Sequence, residues 1–152
     1  MRKYLFIAAS FLFFVGTVFA MGGVSKQVTP DPADIAAVTP GNRVIVYYFH
    51  GNFRCTNCYN IEQYTKEAVD RYFKKEIKES RIVFQAVNVE TKGNEHFVND
   101  YQLYTKAVVL SLVKNGKETA FNNLVKVWEN LRSKDAFQMY IKSEIEKYLK
   151  EL

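Results

Sequence analysis

A chain of 152 residues that is 48% hydrophobic, 24% charged and 15% aromatic is long enough for one domain with its own core. This composition excludes a disordered or collagen-like chain, and two cysteines are too few for a small disulfide-stapled fold. The formal net charge of +5 does not mark a nucleic-acid binder: Arg2 and Lys3 lie in a separable leader whose loss leaves +3 (5 − 2), and other cations alternate with acids, as in "KKEIKESR". That alternation belongs to a solvated helix face.

Residues 1–20 read as an export signal. Arg2 and Lys3 precede an apolar run from Tyr4 to Ala20, and Val18 and Ala20 are small residues at −3 and −1 of a cut after Ala20. The 17-residue run is also close to the ~20 residues of a membrane span, so an uncleaved anchor at residues 4–20 is the alternative. Either outcome places the rest outside the cytoplasm, in a bacterium as a periplasmic, secreted or membrane-tethered domain. No cysteine lies near the cut to carry a lipid. Residues 21–40 hold all three prolines and read as a tether, within which "ADIAAV" is a weak signal for an extra strand. Residues 41–152 form the expected folded domain.

"RVIVYYF" (43–49) is a β-branched and aromatic run that suits a strand covered on both faces. Ile61, Tyr64, Ala68, Val69, Tyr72, Phe73 and Ile77 then recur at helical spacing, predicting a helix to about Ser80. "RIVFQAVNVE" (81–90) predicts a second strand, and "NEHFVNDYQLY" (94–104) a shorter helix. "AVVLSLVKNGKETAF" (107–121) predicts a hairpin turning at Asn115-Gly116, a pair that takes positive φ cheaply. Phe137, Ile141, Ile145, Tyr148 and Leu152 mark a last amphipathic helix with Ser133 as its N-cap. The order strand, helix, strand, helix, hairpin, helix predicts a mixed sheet sandwiched by helices.

Both cysteines, Cys55 and Cys58, sit where the first strand gives way to the first helix, in "HGNFRCTNCYN". The unpaired N–H groups and positive dipole end at such a junction favour a thiolate at Cys55, and Arg54 adds a positive charge. Cys58 lies one turn on, where it can close a disulfide with Cys55, so Cys55 is the candidate nucleophile and Cys58 the resolving thiol. Two other chemistries compete. A structural bridge this short gains little from constraining the unfolded chain. A dithiol metal site would use Cys55 and Cys58 with only His50 and His96 available to complete it. His50 is a candidate proton shuttle or simply a strand terminus. Thr56 and Asn57 are candidates to cap the helix start, and Phe53 and Tyr59 are placed to meet a partner. The remaining aromatic residues fall mainly on core-facing stripes.

These features resemble the thioredoxin superfamily over about residues 42–151, down to "YQLYTKAVVLSLVKNGKE" and its hairpin turn. More narrowly, "YYFHGNFRCTNCYNIE" is similar to the small exported bacterial ArsF-like group, nominally a nitrophenyl-compound nitroreductase subunit. The resemblance implies an α/β, thioredoxin-like fold with a central mixed sheet of four to five strands flanked by helices on both faces. It implies a thiol–disulfide oxidoreductase without a cofactor, monomeric, whose partner is a protein thiol or disulfide, a small thiol, or a membrane electron donor. It places Ala107 and Val108 against the cysteine pair, and Thr56, Asn57, Phe53 and Tyr59 toward the substrate.

Three departures from that family's pattern stand out. Arg54 replaces a tryptophan, Phe49 falls where a buried acid helps move protons, and no proline follows residue 40 to supply the family's cis-proline. A non-proline cis bond costs ~3–4 kcal/mol, so the bond at Ala107 or Val108 is expected to be trans. An uncovered dithiol suits soft metals or arsenite, which keeps a metal- or metalloid-binding protein, and a redox-inactive adaptor, as alternatives.

Overall fold

The computed structural model describes residues 41–152. The expected signal at 1–20, the tether at 21–40 and the extra strand in "ADIAAV" lie outside the described residues. Four strands and five helices follow in chain order: β1 (Arg43–His50), α1 (Thr56–Tyr72), α2 (Lys74–Lys78), β2 (Ile82–Asn88), α3 (His96–Asp100), β3 (Ala107–Lys114), β4 (Lys117–Asn123), α4 (Val127–Asn130) and α5 (Lys134–Leu149).

The strands form one sheet in the order β2-β1-β3-β4. β1 pairs parallel with β2, from Val44 opposite Ile82 to His50 opposite Asn88. It pairs antiparallel with β3, which itself pairs antiparallel with β4. The α/β, thioredoxin-like architecture is therefore present, with four strands among the described residues. The two central strands are the apolar runs "RVIVYYFH" and "AVVLSLVK" because both their faces are covered. β4, "KETAFNN", carries exposed polar residues as befits an edge strand.

On one face Val44, Val46 and Tyr48 of β1 and Val108, Leu110 and Leu112 of β3 meet Ile61, Ala68 and Val69 of α1 and Phe137, Ile141 and Ile145 of α5. The other face holds a smaller, aromatic core: Phe49, Ala107, Val109 and Tyr101, with Tyr47 and Phe97 packed against them. Helices thus flank both faces, though only the short α3 serves the second.

Two local expectations were too coarse. The helix expected to reach Ser80 breaks at Phe73 (φ −127°, ψ 33°), whose ring is buried, and resumes as α2. The helix expected over 94–104 shortens to α3, ending as Gln102 takes positive φ (51°). The turn α4 is an addition. The hairpin turns as expected, with Asn115 at φ 51° and Gly116 at φ 77°, and the Ser133 side chain caps α5 by accepting from the Ala136 N–H.

One end of the sheet gathers four connections. The C-terminal ends of β1 and β2, the start of β3 (Phe49 opposite Ala107) and the end of β4 (Val109 opposite Asn123) all lie there. Loops 51–55, 89–95, 101–106 and 124–126 therefore converge on the start of α1.

Candidate active site

Gly51 opens the loop after β1 and lies close against the Glu90 carboxylate, which a side chain at 51 would displace. Glu90 accepts from the Asn52 N–H at 3.0 Å, and Asn88 Nδ2 donates to Asn52 Oδ1 at 2.7 Å. The loop is thereby tied to the end of β2 and delivers the chain to Cys55 in an extended conformation (φ −91°, ψ 169°).

Cys55 is itself the N-cap of α1. Its sulfur accepts from the Cys58 N–H at 3.3 Å. The cap expected of Thr56 and Asn57 is thus supplied by the thiol, because Cys55 is the last residue with extended backbone before the helix begins. Both cysteines are free; Cys55 is exposed and Cys58 is buried at 1%. The Cys55 thiol is held below a cysteine's ordinary value, first by a hydrogen bond from the Cys58 side chain, then by the Cys58 backbone N–H, with the Asn57 N–H adding to these. The one reactive sulfur open to solvent is thus also the one biased toward thiolate.

Beneath the pair, the wholly buried Tyr48 donates its hydroxyl to the Cys58 carbonyl at 2.7 Å. Burial pushes this phenol up to about 12, against the opposing pull of the Arg54 charge. Arg54 folds inward, 17% exposed, to an ion pair with Glu62, and its guanidinium lies 4.3 Å from the Tyr59 ring and 5.6 Å from that of Tyr48. Burial is the largest influence and works against the guanidinium's charge, but the hydrogen bond and charge of Glu62, together with Tyr48, outweigh it and hold Arg54 above its usual value. His50 stacks on Tyr48 at 5.7 Å, and its Nδ1 lies 3.0 Å from the Gly51 carbonyl oxygen, a contact that puts a proton on Nδ1.

Around the thiols, Phe53 (77% exposed) and Tyr59 (54%) present their rings outward, and Thr56 and Asn57 are exposed. Ala107 and Val108 turn their side chains into the two cores, and the Val108 carbonyl accepts from the Leu124 N–H at 2.8 Å. All described peptide bonds are trans, those of 107 and 108 included. The Lys106 carbonyl accepts from Trp128 Nε1 at 3.0 Å. A cleft of about 210 Å³ between Tyr104, Leu124, Val125 and Trp128 lies at this end of the sheet, next to one of about 160 Å³ between His50, Glu90 and Lys106. Among the described residues no three metal-ligating side chains come together; His96 instead contacts Asp100.

Four site residues escaped sequence reasoning. Glu62 carried a signal, since it lies four residues after Cys58 and so shares its helix face. Tyr48, Lys106 and Trp128 carried none, because tertiary structure alone brings them here.

No protein-family model matches the chain, and no curated protein does. Solved structures similar to it include thioredoxin from Fasciola hepatica (23% identity over 66% of this chain and 90% of that one, TM-score 0.40). Others are thioredoxin O2 from Arabidopsis thaliana (16% identity, 59% and 73%, TM-score 0.36) and a thioredoxin from Thermus thermophilus (20% identity, 59% and 72%, TM-score 0.34). The fold assignment stands on the strand order and directions above.

Proposed function

We propose that the chain is an exported thiol–disulfide oxidoreductase working through Cys55 and Cys58. One observation carries this reading: an exposed thiol, held below its ordinary value by capping a helix, stands over a buried second thiol. Cys55 attacks a partner's disulfide as thiolate, one partner sulfur leaves, and a mixed disulfide forms. Cys58 then attacks Cys55 and releases the partner as a dithiol. Phe53, Tyr59, Thr56 and Asn57 surround the exposed sulfur and form the partner-facing surface. The resemblance of "YYFHGNFRCTNCYNIE" to the ArsF-like group, together with the leader at 1–20, supports action outside the cytoplasm, on a protein, a small thiol or a membrane electron donor.

The purified full chain, equilibrated in glutathione buffers, is expected to give a clean two-electron couple. A potential near roughly −270 mV would make it a reductant and one near roughly −120 mV an oxidant. Cys58→Ser is expected to accumulate mixed disulfides through Cys55, and Cys55→Ser to trap none. Thiols that never form an intramolecular disulfide, with stoichiometric bound metal lost on replacing either cysteine, would overturn the reading in favour of a dithiol binding protein.

A further inference from the structure

Cys55 keeps its thiolate bias only while Cys58 stays bonded to its sulfur, and the Cys58 N–H that does so lies 3.3 Å away in the first turn of α1. Little within that turn holds it down. Thr56, Asn57 and Tyr59 are exposed, and Cys58 alone is buried there. No acidic residue complements the helix dipole in this turn. Helix ends of this kind fray, so a contact from outside the turn has to keep the cap formed.

Arg54 makes that contact. Its guanidinium pairs with the Glu62 carboxylate in the second turn of α1 and lies 4.3 Å from the Tyr59 ring in the first. It also lies 5.6 Å from the Tyr48 ring of β1, whose hydroxyl donates to the Cys58 carbonyl at 2.7 Å. One side chain thus joins the strand beneath Cys58 to the two helical turns that carry and follow it. A flat guanidinium can stack on rings while its N–H edge meets a carboxylate; an ammonium cannot do both. The charge of Arg54 is meanwhile spent on Glu62. What lowers the Cys55 thiol is, first, hydrogen bonding from Cys58 and then the Asn57 N–H. The charged and titratable groups gathered here are Tyr48 and His50 of β1, Arg54 itself, and Cys55, Cys58, Tyr59 and Glu62 at the start of α1.

We infer that Arg54 is a positioning residue: with Glu62 it braces the first two turns of α1 against β1 and so keeps the Cys58 N–H on the Cys55 sulfur. This deepens the exchange reading above and rests on it, because the braced sulfur is the one that attacks. The expectation that Arg54 acts on Cys55 by nearness of charge gives way to a geometric role. The two roles differ in sign. Were charge the lever, removing the Glu62 carboxylate would free the cation and lower the Cys55 value further. With a brace, the same change loosens the turn and lets the value rise.

The test follows alkylation of Cys55 against pH in the reduced full chain, with the site of reaction read by mass spectrometry. Arg54→Lys keeps the charge and loses the brace. It is expected to move the midpoint up, slowing alkylation by roughly threefold or more below both midpoints, since only thiolate reacts. Glu62→Gln is expected to move the midpoint the same way. A wild-type midpoint in Arg54→Lys, or a lowered one in Glu62→Gln, overturns the assignment in favour of charge. Hydrogen exchange in the same variants separates a brace from a general loss of stability. The Cys58 amide is expected to exchange faster in Arg54→Lys, while the amides of Val46 in β1 and Leu110 in β3 keep their wild-type rates. An unchanged Cys58 amide, or faster exchange throughout the sheet, overturns the brace too. Neither readout needs a disulfide partner, so the brace can fail while exchange stands. The couple measured in glutathione buffers judges exchange by itself.

Discussion

Cys55 does two jobs with one sulfur: it ends the helix's run of unpaired N–H groups, and it is the thiol that meets solvent. Its lowered value comes first from the Cys58 side chain. Cys58→Ala removes that donor and keeps the backbone N–H, so the Cys55 value is expected to rise part of the way back. The rate of Cys55 alkylation against pH measures this, and an unchanged midpoint would contradict it. The sign also fixes a stability trend. Because the folded-state value is depressed, the contribution of Cys55 is complete above the unfolded thiol's 9.0 and is lost as pH falls through the folded value. Denaturation of the reduced chain across that window reads it directly.

Among the elements, those with a purely local signal were legible. The hairpin was readable because Asn115 and Gly116 are the residues that tolerate positive φ, and both adopt it. Gly116→Ala forces a side chain into that conformation and is expected to cost about 1 kcal/mol in urea unfolding. The α5 start was readable because a serine oxygen can bond an N–H three residues on, as Ser133 does to Ala136 at 3.3 Å. The end of α1 was not readable. Ile77 continues the helical spacing past Phe73, and no glycine or proline announces the break; the buried Phe73 ring sets it through packing. The site divides the same way. Cys55 and Cys58 are close in sequence and their junction is visible in pattern, whereas Tyr48 joins them only once β1 and α1 are packed together.

The whole molecule is held by two cores of unequal size on one sheet. The larger lies between β1, β3, α1 and α5, and Phe137 is wholly buried in it, edge-on to Tyr64 at 5.6 Å between ring centres. Phe137→Ala is expected to cost about 3–5 kcal/mol, a large share of the ~5–15 kcal/mol that holds a domain folded. It should lower the denaturation midpoint sharply while the slope changes little. A loss under ~1 kcal/mol would mean that the helix layer is not seated as described. Architecture at this scale was legible because strand and helix periods alternate along the chain. The thin cover of the second face was not, since it depends on how few residues of α3 reach the sheet.

Trp128 is the chain's sole tryptophan, and its indole N–H is bonded to the Lys106 carbonyl at the start of β3. Its emission therefore comes from one place only. Any event that moves the 104–107 segment changes the polarity and hydrogen bonding around a single fluorophore. The molecule thus carries its own optical probe, through which movement of the 104–107 segment can be timed without a label.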